Sequence, residues 1–226
     1  MNYYSRNTIG NAVSYASQNV RSTYIRQVYG IFFSSLIFTV LAGIFAVPFA
    51  GIIAKSYMLL FFVEIAFAFA LAFTRRTTGL NLMMLYAFAA LQGIILCPFL
   101  LMASAAAPGI PLMAAVLTLS IFGGLSLYTL VSGKDFSYLG GFLSASLIGL
   151  IIGGIVMMFL HIPMMTLLYS FVGILIFSGY VLYDTSNILN RHLASEPIAG
   201  AIALYLDLLN LFYLVLDLLM SMNRRN

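Results

Sequence analysis

Charge is scarce in this chain. Asp, Glu, Lys and Arg together make up 7% of its 226 residues, where a soluble domain carries about a quarter. An ordinary water-soluble globule is therefore excluded. Tryptophan is absent, so any aromatic belt at a membrane surface falls to tyrosine. The one cysteine, Cys97, cannot close an internal disulfide, and no zinc-type spacing exists. The net charge of +4 is scattered over the ends of apolar runs. That pattern points to membrane orientation and not to nucleic-acid binding. No cleavable signal peptide is expected, because the first apolar run follows a polar tail and is too long for one.

What remains is apolar: 63% of residues are hydrophobic. Runs of about 18 or more such residues read as membrane-crossing helices, since ~20 residues at ~1.5 Å each span a ~30 Å hydrocarbon layer. The chain divides into a polar tail (1–27), a transmembrane domain (28–222) and a short end (223–226). A short interfacial helix is expected near the end of the tail. Seven spans are predicted, at 28–54, 56–74, 80–103, 112–131, 136–160, 164–189 and 201–222, with Pro48 bending or ending the first. The fold class is an all-α integral membrane bundle.

Orientation follows from Lys and Arg. With the N-terminus inside, the inner face holds Arg6, Arg21, Arg26, Arg75, Arg76, Lys134 and Arg191, seven in all. The outer face holds three: Lys55, Arg224 and Arg225. A re-entrant last span would move the two C-terminal arginines inside. The expected location is a bacterial inner membrane with a cytoplasmic N-terminus. The small-residue pairs at Gly123, Gly140 and Gly153 are expected to serve close helix packing.

The ionisable residues inside the spans carry the functional argument, because each costs at least ~2.5–3.5 kcal/mol at mid-membrane. They are Glu64, Asp184, Asp207 and Asp217. Spans 6 and 7 are consecutive and so antiparallel. The midpoint between Asp184 and Asp207 falls inside "NRHLASEP", the loop that joins them. Both carboxyls therefore lie at equal depth, on the order of 9–15 Å from the inner surface. Facing each other, they would share a proton, because two carboxylates at close range cannot both stay charged. Asp207, Asn210, Leu214 and Asp217 fall within about 80° on the last span, a wettable edge suited to a helix in the middle of a bundle. Glu64 and Arg75 are 75 − 64 = 11 residues apart, close to three turns, so they share one face of span 2. Arg75 is the expected counter-ion for an acid at that depth.

At these residues the sequence resembles the Bax inhibitor motif family, most closely its short bacterial members. The matching stretches are "SGYVLYDTSNIL" (178–189), "ALYLDLLNLF" (203–212), "KDFSYLGGFL" (134–143) and "IRQVYGIFFSSL" (25–36), within a resemblance covering about 22–220. It implies seven helices with the last enclosed by the other six, and a pH-sensitive calcium leak. It maps the family's aspartate pair onto Asp184 and Asp207, its acid in the second helix onto Glu64, and the arginine that latches the pair in the closed state onto Arg75. Asp217 departs from the pattern, where a neutral or basic residue is more usual.

The expected function is a calcium leak gated by protonation of Asp184 and Asp207 and latched by Arg75. Glu64, Asn210 and Asp217 would line the ion pathway. Asp184 and Asp207 would bind calcium weakly, since a tight site would trap the ion. No resident cofactor and no enzymatic activity are expected; the partners are the bilayer, calcium and protons. An intramembrane aspartyl protease would need "GxGD" and "PAL", and neither occurs. Two alternatives remain: a proton-coupled transporter, and a membrane adaptor that binds a protease or cell-death partner.

Overall fold

The computed structural model describes residues 17–74, 77, 79–159, 163–193 and 195–224. Arg6, Arg75, Arg76 and Arg225 lie outside the described residues, and so does the tail before Ser17. Among the described residues the chain is helical throughout: α1 Gln18–Ala46, α2 Ala50–Lys55, α3 Tyr57–Thr74, α4 Leu80–Ala106, α5 Ile110–Ser132, α6 Gly140–Phe159, α7 Pro163–Asn190 and α8 Pro197–Asn223.

Apolar length sets these elements and a few residues end them. Nothing between Gln18 and Val28 breaks a helix, so α1 starts well before the apolar run does. Pro48 sits in a 3-10 turn, Val47–Phe49, that separates α1 from α2. A proline there forfeits a backbone donor and disfavours continuous α-helix. Gly133 ends α5 in a left-handed conformation (φ 63°), with its N–H donated to the Thr129 carbonyl. Among the described residues six segments are long and apolar enough to cross a membrane, the first running from Gln18 through Lys55; α3 contributes a shorter apolar stretch, Tyr57–Leu71. Large apolar side chains stand exposed along them, Phe73 at 84% and Val131 at 79% among others. Water would penalise that surface and lipid would not. The chain is an integral membrane protein.

The helices fall into two compact units. One comprises Ser17–Met102 and Leu193–Tyr205. In it α1 and α4 cross at glycine: a Cβ on Gly93 would lie 2.0 Å from the Thr39 carbonyl oxygen and 2.9 Å from the Gly43 nitrogen. Hydroxyl pairs tie the same unit, Ser34 to Tyr86 at 2.9 Å and Thr39 to Tyr205 at 2.7 Å. Tyr205 is fully buried, so Tyr205→Phe should lower thermal stability by about 1 kcal/mol, the net worth of one hydrogen bond. A melt in detergent reads that difference.

The other unit comprises Ala103–His192 and the chain from Leu206 onward. Here α7 packs against α5 and α6. The small-residue pairs act differently from expectation. Gly123, Gly124 and Gly141 have open space where a Cβ would stand. Gly140 lies under the Tyr183 ring, and Gly153 and Gly154 lie under Tyr169. Aromatic rings fill these notches, and neighbouring helix backbones do not. Over Pro197–Ser221 no residue of α8 is exposed.

Candidate functional site: a buried carboxyl pair

The last turns of α7, "YDTSNILN", are polar on several sides at once. Thr185, Ser186 and Asn187 are buried there beside Ile188 and Leu189. The Asp184 carboxyl lies within interaction range of the Asn187 side chain and of the Asp207 carboxyl on α8. Asp207 is 4% exposed. Apart from the Asp184 carboxyl, its Oδ2 has no hydrogen-bond partner among the described residues. An ionised carboxylate only accepts hydrogen bonds. A hydrogen bond between two carboxyls therefore requires a proton held between them. Tyr180, whose hydroxyl bonds Ser144, stands within electrostatic reach of both acids.

The other predicted residues separate. Glu64 on α3 accepts a 2.8 Å hydrogen bond from the Gln92 amide on α4, a pairing inside the first unit. Asn210 donates to the Leu206 carbonyl of its own helix at 2.8 Å. Asp217 accepts a 2.5 Å hydrogen bond from Ser170 on α7. Between these two levels Leu214 covers Gly173, so the α7–α8 seam carries a polar contact at each end and an apolar one between. Among the described residues no group of three or more His, Cys, Asp or Glu side chains could hold a metal ion.

Ser170 is fully buried, and sequence reasoning passed over it. Ser170→Ala should cost about 1–3 kcal/mol of stability, because it strips the donor from a half-buried acid. A thermal melt beside Asp217→Asn checks this. The double variant should lose less than the two single losses added together, since both remove one contact.

A second cluster also escaped the sequence reading. The loop after α5 folds Asp135 against α7. Asp135 Oδ1 accepts from the Ser137 N–H at 2.9 Å and from the Ser186 hydroxyl at 3.3 Å. The Phe136 N–H donates to the same Ser186 hydroxyl at 2.8 Å. Arg191 pairs with Asp135 at 3.6 Å and donates to the Ser137 hydroxyl. The Ser137 backbone N–H, then its hydroxyl, hold the Asp135 carboxyl below its ordinary range. The sign follows: a group whose folded value is depressed contributes above its unfolded value of about 3.9 and is lost as pH falls through the folded one. Asp135 thus keeps its charge throughout the neutral range. The signal available in the sequence was "KDFS", an acid two residues before a serine in a turn.

Comparison with known proteins places the chain in a family. A family model described as "Inhibitor of apoptosis-promoting Bax1" matches residues 21–225. The chain belongs to the Bax inhibitor family. Its relatives in that family extend across kingdoms. It is similar to an uncharacterized protein of Campylobacter jejuni, 36% identical over 92% of this chain and 94% of the relative. It is also similar to Bax inhibitor 1 of Schizosaccharomyces pombe, 35% identical over 92% of this chain and 79% of that protein. A Golgi anti-apoptotic protein of vaccinia virus is 32% identical over 96% of this chain and 92% of its own length. The family match includes the carboxyl pair, Glu64, Asp217 and the Asp135 loop.

Proposed function

We propose that this Bax inhibitor family protein is a proton-gated calcium leak, with Asp184 and Asp207 as its sensor. The observation that carries the reading is the close approach of two carboxyls inside a membrane protein, one of them almost wholly buried. Such a pair exchanges its shared proton with the medium at a cost set by its surroundings. Proton loss leaves a net negative pair that attracts a cation. Arg75 is the cation that closes the path in this proposal, and it enters from the sequence alone. Regaining the proton removes that attraction and opens the path.

Calcium is the proposed cargo because hard oxygen ligands suit it. Two carboxyls and the Asn187 amide offer fewer oxygens than the six to eight that calcium takes in a tight site. A cation would therefore pass and not lodge. Seven spans are proposed, with α3 as the short one and α8 enclosed, in a plasma membrane with the N-terminus inside. No catalytic step and no resident cofactor are part of the proposal.

The test is calcium entry into liposomes that contain the purified protein, from about pH 6 to pH 8. Flux should rise as pH falls. Absence of calcium movement at every pH would overturn the leak, and partner capture by the adaptor route would then be the next reading to test.

A further inference from the structure

We propose that Asp135 is a positioning residue for the carboxyl pair: acting through Ser186, it fixes the turn of α7 that presents Asp184 to Asp207. The pH-sensing part of this inference rests on the function proposed above.

Three consecutive side chains of α7 leave the helix about 100° apart, and each is fastened to a different element. Asp184 meets Asp207 on α8. Thr185, fully buried, lies 3.4 Å from the Ser126 hydroxyl on α5. Ser186, also fully buried, bonds both Asp135 and the Phe136 N–H of the loop. Three anchors in three directions fix the rotation of a helix about its axis. The tolerance is small. A carboxyl carried ~6 Å from the axis moves about 2 Å when the helix rotates by roughly 20°. A hydrogen bond does not survive that displacement.

Asp135 organises the loop anchor. Its carboxylate gathers the Ser137 N–H, the Ser186 hydroxyl and Arg191, so the loop closes on α7 only while that carboxylate is in place. The Arg191 pair itself is exposed, at 58% and 53% for the two side chains, and contributes little alone. The leverage lies in the buried Ser186 contacts. Tyr183, one residue before Asp184, adds a fourth restraint by seating on Gly140 just past the loop.

The ionisable groups around this assembly are few. Arg191, just past the end of α7, faces Asp135, and His192 follows it with its N–H donated to the Asn187 carbonyl. Lys134 donates to the Tyr128 hydroxyl on α5 at 2.9 Å, and Tyr138 lies within its electrostatic reach. Tyr180 and Tyr183 stand near the pair on α7. The sequence of α6 contains no ionisable side chain, and α8 beyond Leu206 contributes Asp207, Tyr213, Asp217 and Arg224 near its end. Asp135 keeps its charge from pH 6 to pH 8, so its own titration does not enter a pH profile in that range.

The experiment is an infrared pH titration of the full-length protein in lipid nanodiscs, following the carbonyl band of protonated carboxyls. Asp207→Asn assigns the band to the pair. Asp135→Asn and Ser186→Ala should each move its midpoint by about half a pH unit or more. Lys134→Ala, in the same loop, should leave the midpoint in place. Ser186→Ala removes one hydroxyl and no charge, so it keeps the test valid should Asp135→Asn fold poorly. Midpoints unmoved by both variants overturn the positioning role, as does a wild type with no titrating band. Calcium flux on matched liposomes separates the two claims. A midpoint that moves in protein carrying no calcium supports the positioning and refutes the leak.

Discussion

Asp207→Asn is expected to abolish the pH response of calcium flux, and it is the largest functional effect we anticipate. A one-proton switch that titrates within the tested range changes its population by roughly tenfold or more across two pH units. Asparagine has the same shape as aspartic acid and carries no exchangeable charge. Its amide can still donate to Asp184, so the α7–α8 contact and the fold survive. The ionised pair that attracts a closing cation can no longer form. Flux at pH 8 should then rise to the level the wild type reaches at pH 6, and the ratio between the two conditions should fall to about one. A variant that keeps the wild-type ratio would remove Asp207 from the sensor. Arg75→Gln is the companion measurement. It should also raise flux at pH 8, and unchanged flux would exclude Arg75 as the latch.

Gly93→Ala is expected to produce the largest loss of stability. The added Cβ would stand 2.0 Å from the Thr39 carbonyl oxygen and 2.9 Å from the Gly43 nitrogen. Both are backbone atoms, so no side chain can swing aside, and α1 and α4 must separate. Separation strains the contacts that flank the crossing: the Thr39–Tyr205 bond, the Ser34–Tyr86 bond and the Phe38–Tyr86 stack at 4.5 Å. Overpacking of this kind costs about 3 kcal/mol or more when the backbone has to move. Gly43→Ala meets its nearest neighbour, the Gly93 carbonyl oxygen, at 3.2 Å and should lose less. Gly123→Ala opens onto free space and should gain roughly 0.5–1 kcal/mol from helix propensity alone. Melting temperatures of the three variants in one detergent give the order. Equal stability of Gly93→Ala and Gly123→Ala would contradict the close crossing.

The pairing of Asp184 with Asp207 was legible from sequence for a geometric reason. Two helices joined by a short loop run antiparallel, and residues equidistant from the loop meet at one depth. The same reasoning could not find the partner of Asp217. Depth alone leaves the rotation of α7 and α8 open, and Ser170 emerges only when Leu214 has settled over Gly173. Glu64 illustrates a further limit. Its spacing from Arg75 is a pattern along one stretch of sequence, whereas its bond from Gln92 joins two helices. No periodicity within α3 encodes that contact.

The glycines divide along the same line. In a membrane helix every Gly looks like a packing site, because lipid gives no polar face by which to tell inside from outside. The pairs at Gly123 and Gly140 stood out in the sequence, yet the backbone crossing is at Gly93. Asp135 drew no attention, since an exposed acid in a turn is ordinary, and its reach to Ser186 spans 51 residues.

By itself, the sequence determined that the chain is a membrane-embedded helical protein, where most of its helices begin and end, and which two acids share a depth. Those properties follow from the free energy of apolar length in lipid and from the fixed rise of a helix. Only the tertiary structure decided which groups satisfy Glu64, Asp217 and Asp135, and which glycine admits a neighbouring backbone. Those outcomes depend on how each helix is rotated about its axis, and that rotation is set by side-chain fit between helices far apart in the chain.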